Sequence, residues 1–253
     1  VLSLFGTLPF LITDSISSLS FSEAFFESMS GLTTTGATVL SQLDDLPKSI
    51  LFYRQQLQWL GGMGIIVLAV AVLPLLGVGG MELYHAESSG IAKDRLTPKL
   101  RNTAIALWKI YVSLTVLCAL GYFLSGMTIF DAVSHSFSTV AIGGFSTHDA
   151  SIGYFNSISI EMIAIFFMFL AGINFSLHFL AWNNKSFIDY IKDSEFKTYV
   201  MVIVGSSVIV IIALTLNAEY SSSIETIRYS LFQTISIATT TGFTSQNYSS
   251  WPA

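Results

Sequence analysis

The sequence predicts an all-α integral membrane fold built by repeating one helical unit, and three observations predict it. The 253-residue chain is 52% hydrophobic and only 11% charged, against roughly 25% charged residues in an average soluble domain. Its mean hydropathy is +0.66. So apolar a surface needs an apolar solvent, and a bilayer supplies one. Next, apolar segments long enough to cross a membrane alternate with segments too short to do so. Last, each short segment runs into a loop rich in glycine and hydroxyl side chains, in the same register three times.

The elements follow in order. A helix needs about 20 mostly apolar residues to cross the hydrocarbon core. Residues 50–76 form such a run, polar at its start (Arg54, Gln55, Gln56, Gln58), and residues 103–124, 158–182 and 196–216 form three more. Residues 1–12 read as the tail of a fifth. The segments 21–32, 129–140 and 224–238 are shorter and mix apolar residues with Ser, Thr, Glu, His and Gln. Runs of that length suit re-entrant or buried helices. The irregular loops after them find no hydrogen-bond partners in lipid, so at membrane depth they must be buried in protein or line a watery path.

Composition also excludes functions. A net charge of −5 gives no basic footprint, so no nucleic-acid partner is expected. The single cysteine, Cys118, lies in an apolar run and reads as a small buried hydrophobe. His85, His135, His148 and His178 are scattered, without the spacing of a zinc site. No phosphate-binding loop is present, and no enzyme is expected. Val1 is not preceded by a basic region and cleavage site, so the chain reads as starting within a longer protein.

Orientation follows from the basic residues. Segment 81–102 holds Lys93, Arg95, Lys99 and Arg101, and segment 183–197 holds Lys185, Lys192 and Lys197. The loops 41–49 and 146–157 hold only Lys48 between them. The positive-inside rule puts the basic segments in the cytoplasm and brings the glycine loops in from the opposite face.

Internal repetition carries the chemistry. Gly36, Gly144 and Gly242 lie 108 and 98 residues apart. Six residues before each is a serine (Ser30, Ser138, Ser236), and two after each is a hydroxyl side chain (Thr38, Ser146, Thr244). The local strings are SGLTTTGAT, STVAIGGFS and SIATTTGFT. The unit is therefore outer helix, short pore helix, glycine-centred loop, inner helix. It divides the chain into a first repeat at 1–80, a linker at 81–102, a second repeat at 103–182, a linker at 183–195 and a third repeat at 196–253. A cation leaving water needs its hydration shell replaced by oxygens, and rings of backbone carbonyls do this. Aligning successive carbonyls needs unusual backbone angles, which glycine reaches at little cost. A short helix whose C-terminal end faces the path adds partial negative charge.

The stretches FESMSGLTTTGATVL, FYRQQLQWLGGMGIIVLAVAVLP, HSFSTVAIGGFSTHDASIGYF, AGINFSLHFLAW and ATTTGFTSQNYSSWP resemble the Trk-type potassium uptake proteins, TrkH/TrkG most and KtrB more distantly. The likeness covers nearly the whole chain. It implies a potassium-channel-like pore of four non-identical pore-loop repeats in one chain, of which three filter loops are present here. It also implies a homodimer in the bacterial inner membrane and a cytoplasmic nucleotide-binding regulator of the TrkA type. The filter glycines map onto Gly36, Gly144 and Gly242, flanked by Thr34, Thr35, Ile142, Gly143, Thr240 and Thr241. Potassium would be the transported ligand at those residues, and no cofactor is expected in the chain. The family has a fourth repeat and an inner helix after the third loop, so the chain reads as a central fragment. Only the glycine is common to all three loops, so weaker sodium rejection than in dedicated potassium channels is expected.

Other residues admit two readings. Glu27, His135 and Gln233 hold matching places in the three short helices, where they brace the filter or bond neighbouring helices. Asn174 and His178 lie four apart, on one face of the third spanning helix, where they bond another helix or mark a pathway. Arg54, near the external end of an inner helix, is expected to snorkel to the interface. Gly61, Gly62 and Gly64 permit close helix packing. The alternatives to potassium transport are a non-conducting membrane fragment and a secondary carrier subunit. Parallel rather than inverted repeats argue against the carrier. Channel-like and ion-coupled flux both stay open.

Overall fold

The computed structural model describes residues 1–13, 19–72, 93–217, 219–220 and 222–252, with the side chains of 65–72, 93–102 and 250 outside the description. Among these residues the fold is entirely helical. We label the helices α1 (Leu2–Ile12), α2 (Phe21–Leu32), α3 (Lys48–Val72), α4 (Lys93–Leu124), α5 (Ile129–Val140), α6 (Ile158–Ala171), α7 (Phe175–Asn184), α8 (Ile188–Lys192), α9 (Ser194–Leu216) and α10 (Ser223–Ala238). The end of the first inner helix past Val72 and the start of the first linker lie outside the described residues.

Among the described residues, two segments are long and apolar enough to cross a membrane: Thr103–Leu124 within α4, and α9. Both leave most of their surface uncovered, with Val116, Leu117, Leu120, Met201, Val204 and Ile209 exposed. Apolar area of that extent is stable only against lipid or further protein. Helix α4 is already helical at Lys93, the first residue described there, ahead of the predicted 103.

The span predicted over 158–182 is broken. Helices α6 and α7 meet at a bend of 88° around Gly172–Ile173–Asn174. Asn174 is not a helix-face residue but the N-cap of α7, its side chain accepting from the Ser176 N–H at 3.0 Å. His178 reaches back across the break to the Leu170 carbonyl (3.0 Å) and pairs with the Tyr190 hydroxyl (2.7 Å). The polar pair at i, i+4 thus sits at a helix break, and each member also bonds another helix as expected, Asn174 Nδ2 donating to Glu195 at 3.2 Å and His178 pairing with Tyr190.

The short helices start from side-chain caps. Ser20 and Glu23 close a capping box on α2. Thr128 accepts from the Asp131 N–H at the start of α5. Packing is regular along the chain: α1, α2 and α3 pack together, as do α4, α5 and α6, and α9 packs on α10. Between these groups, α3 packs on α5, and α6 packs on α10. One apolar core joins Tyr111, Cys118, Tyr122, Met168, Phe232 and Phe243, with Cys118 fully buried as predicted. Gly61 packs against the Leu32 carbonyl and Gly62 against Tyr111 and Ala141, whereas no described atom lies within 4 Å of a Cβ on Gly64.

Arg54 does not snorkel. It is 1% exposed, because α2 supplies a buried carboxylate, Glu27, whose Oε1 lies 2.6 Å from its Nε. A guanidinium with that partner and a fork of further acceptors has no reason to seek the interface.

Candidate functional site

The three glycine loops share one backbone conformation. Residues Thr34, Ile142 and Thr240 have φ of 54°, 47° and 62°, and Gly36, Gly144 and Gly242 have φ of 76°, 79° and 82°. The residue between each pair is not left-handed. Thr34, Ile142 and Thr240 are all β-branched, which makes left-handed φ a true outlier for them, costing roughly 1–3 kcal/mol each.

Hydrogen bonding explains how the strain is held. Each short helix ends in a Schellman motif. The N–H groups of Thr34 and Thr35 donate to the carbonyls of Gly31 and Ser30, those of Ile142 and Gly143 to Thr139 and Ser138, and those of Thr240 and Thr241 to Ile237 and Ser236. Two orphan carbonyls of each helix end are thereby satisfied. The serine six residues before the glycine adds a second tie in two loops. Ser30 donates to the Ala37 carbonyl at 2.6 Å, and Ser236 to the Phe243 carbonyl at 2.7 Å.

The loops also meet one another in a fixed relation. A Cβ built on Gly36 would overlap the Gly143 carbonyl oxygen, and one on Gly144 would overlap the Thr241 carbonyl oxygen. Gly143 and Thr241 each stand one place before the glycine of their own loop. So the glycine of one loop abuts the same carbonyl of the next, twice. Beside Gly242 no described atom lies within 4 Å of where a Cβ would stand.

Side chains brace the loops from behind. Glu27 accepts from the Thr38 hydroxyl (2.9 and 3.1 Å), the Val39 N–H (3.2 Å) and Arg54 Nε (2.6 Å). Arg54 Nη2 also donates to Thr38 Oγ1 (2.9 Å), and its guanidinium lies 4.2 Å from the Phe145 ring centroid. His135 contacts the matching hydroxyl of the next loop, with Nε2 3.0 Å from Ser146 Oγ. Its Nδ1 lies 2.9 Å from the Asp131 carbonyl, which can only accept. The proton therefore sits on Nδ1, and Nε2 accepts from Ser146 in the neutral ring. Gln233 is buried, but no tie joins it to Thr244; the Thr244 N–H donates instead to Ser151 Oγ at 3.2 Å. A second ion pair, the part-buried Arg228 with the buried Glu161 (two contacts of 2.6 Å), joins α10 to α6.

Outside the short helices, His148 joins two loops. Its Nδ1 bonds Asp44, its Nε2 lies 3.5 Å from Asp131 Oδ1, and its ring stacks on Tyr154 at 3.5 Å. Burial alone would pull its pKa down, but hydrogen bonds to Asp131 and Asp44 outweigh burial and the net shift is upward.

Arg54, Gln55 and Gln58 are contacts that sequence reasoning missed. All three are buried on α3 facing the second loop. The signal was present: a polar set at i, i+1 and i+4 in an otherwise apolar helix faces protein, not lipid.

An all-helical membrane protein that gathers strained, matched, glycine-turned loops side by side is the class of protein this geometry defines. Over residues 1–253 the chain matches the model of the TrkH family, described as cation transport protein, and it belongs to that family. It is 54% identical over 253 residues to the Trk system potassium uptake protein TrkH of Halomonas elongata, covering 100% of this chain and 52% of that one. The Trk system potassium uptake protein TrkG of Escherichia coli is 42% identical over 99% of the chain and 51% of its own. The crystal structure of the potassium transporter TrkH from Vibrio parahaemolyticus superposes with a TM-score of 0.88 at 50% identity, covering 100% of this chain and 51% of that one. The chain spans about half the length of the relatives it matches.

Proposed function

We propose that this chain supplies three sides of a potassium pathway across the bacterial inner membrane. Thr34, Thr35, Gly36, Ile142, Gly143, Gly144, Thr240, Thr241 and Gly242 would line its filter. The observation that carries this reading is the shared pair of left-handed residues at matched places in three loops, with Gly36 and Gly144 each abutting the next loop's carbonyl. Reversing the backbone hand twice within three residues turns neighbouring carbonyls to one side. Oxygens so aligned replace the water of a potassium ion. Relatives named as potassium uptake proteins support the choice of ion.

The three units are repeats of outer helix, pore helix, filter loop and inner helix, and a fourth loop would stand in the open space beside Gly242. The basic segments face the cytoplasm, where a nucleotide-binding regulator of the TrkA type would dock, and two copies of the complete protein pair as a homodimer. Glu27 and His135 act as filter supports through Thr38 and Ser146.

The test is growth at low potassium of cells lacking their own uptake systems. The complete gene should restore growth, and a Gly144→Val version should not. No rescue by the wild-type gene, with its protein present in the membrane, would overturn the proposal.

A further inference from the structure

The first and third loops brace themselves, and the second does not. In the first, the Thr33 and Thr35 hydroxyls pair at 2.8 Å, and in the third Thr239 and Thr241 do the same at 2.8 Å. The second loop has Ala141 and Gly143 at those places and can form no such pair. It also lacks the second tie. Ser138 matches Ser30 and Ser236, but its buried hydroxyl has no partner.

Helix α3 supplies both missing ties from outside. Gln58 Nε2 donates to the Gly143 carbonyl at 2.6 Å, and its Oε1 accepts from the Phe145 N–H at 3.1 Å. These partners fix which end of the amide is which, since a carbonyl only accepts and an N–H only donates. The Phe145 carbonyl, the acceptor that Ser138 leaves unused, takes Gln55 Nε2 at 3.4 Å. The Ser146 carbonyl takes Arg54 Nη1 at 3.4 Å. Gly143 itself is explained by this arrangement. A Cβ there would lie 2.5 Å from the Gln58 carboxamide carbon, so the glutamine fills the space a threonine takes in the other loops.

We propose that Gln58 is a positioning residue for ion discrimination, holding the second loop's backbone on both sides of Gly144 in place of the hydroxyl pair of the other loops. Gln55 and Arg54 extend the clamp. The carbonyls of Gly143, Phe145 and Ser146 are thereby engaged from behind, which leaves the Gly144 carbonyl between them to the pathway. The inference rests on the reading of these loops as an ion filter. A loop freed from its clamp can relax around the smaller sodium ion, so the loss should appear as selectivity before rate.

The experiment uses the protein from its complete gene, with potassium uptake and sodium competition measured in cells or proteoliposomes. Gln58→Met keeps side-chain length and removes both hydrogen bonds. It should raise the potassium KM and weaken discrimination against sodium roughly five- to thirtyfold, the lower part of the scale of two lost hydrogen bonds, with maximal rate and membrane level retained. Gln58→Asn, too short to span both groups, should shift discrimination the same way if the Met variant fails to reach the membrane. Gln56→Met, the same change on the exposed face of α3, should leave discrimination unchanged. Wild-type discrimination in membrane-inserted Gln58→Met or Gln58→Asn would overturn the inference while wild-type uptake kept the filter reading intact. Loss of rate and thermal stability with an unchanged ion ratio would assign Gln58 a structural role only, and would also overturn it. Absence of potassium uptake by the wild type would instead sink the reading beneath.

Discussion

Replacing Gly144 by alanine adds one methyl group where two independent penalties meet. The residue has φ of +79°, so the alanine pays the left-handed cost of roughly 1–2 kcal/mol. Its Cβ would also lie 3.0 Å from the Thr241 carbonyl carbon, inside van der Waals contact, and would overlap that group's oxygen. Both obstacles are backbone, so no flexible side chain can swing aside. The second and third loops must part, or Gly144 must abandon its conformation; either way the loop carbonyls move. Strain alone would cost about five- to thirtyfold in the population of the competent loop, and the overlap adds to it. The assay is potassium uptake against sodium competition in the complete protein. The expected result is loss of potassium selectivity with the protein still present in the membrane.

Gly242→Ala makes the comparison decisive. Its φ is +82°, nearly the same, yet no described atom lies within 4 Å of its Cβ position. If a fourth loop fills that space in the complete protein, Gly242→Ala should damage selectivity as heavily as Gly144→Ala. An effect no larger than the strain would show that nothing abuts Gly242, and the four-loop reading would fail. Wild-type selectivity in Gly144→Ala would refute the reasoning more broadly.

Other perturbations separate the braces. Glu27→Gln leaves Arg54 buried beside a neutral amide, so membrane level and selectivity should fall together; unchanged selectivity at normal expression would remove Glu27 from the support role. Arg228→Leu strands the buried Glu161 carboxylate and should destabilise the protein by about 3 kcal/mol, while Glu161→Gln with Arg228→Leu should recover most of it, both read by thermal unfolding in detergent. The His148 link to Asp44 should respond to pH. His148 has its folded pKa raised above 6.5, so its contribution is complete below that value and is lost as pH rises through the higher folded one. Asp44 is lowered below 3.8, chiefly by its hydrogen bond to His148, so its contribution is present above 3.8 and lost as pH falls through the lower folded value. The link is therefore strongest in mildly acidic medium. Between about pH 5 and pH 9 the melting temperature should decline in the wild type and flatten in His148→Gln; parallel curves would deny the link.

Much of this was legible because repetition is legible. Three glycines with a serine six places before each and a hydroxyl two places after fixed the loop register, and the matched φ values fall on those same positions. The short segments expected from 21 and from 129 do start there, where the structure places the caps Ser20 and Thr128. What could not be read was pairing across sequence distance. Nothing local to Arg54 says that Glu27 will lie 2.6 Å away, so snorkelling was the default for a lone arginine. The break at residues 172–174 was hidden in a run of uniform hydropathy, because the residues repairing it, Asn174 and His178, also fit an unbroken helix face. A glycine at 143 could be seen in the sequence, but its reason, the amide of Gln58, lies 85 residues away.

The placement of charge limits what selects the ion. Two ion pairs lie among the helices, the buried Arg54 with Glu27 behind the first two loops and the part-buried Arg228 with Glu161 between α10 and α6, and each is neutral as a pair. Buried pairs contribute little net stability against apolar replacements, so their retention is better explained by the geometry they impose. Arg54 shows the use: it ties Thr38 of the first loop to the Ser146 carbonyl of the second without adding net charge behind either. A lone carboxylate there would attract sodium and potassium alike, and divalent cations more strongly, since attraction scales with charge. With the pairs closed, the field at the proposed pathway comes from carbonyl dipoles and the C-terminal ends of α2, α5 and α10. Such a field depends on where oxygens are held, not on how many charges stand nearby. Variants that move a carbonyl without altering charge, Gln58→Met and Gly144→Ala, should therefore change ion discrimination more than charge-neutral disruption of the remote Arg228–Glu161 pair. The opposite ranking would show that long-range electrostatics, and not backbone placement, makes the selection.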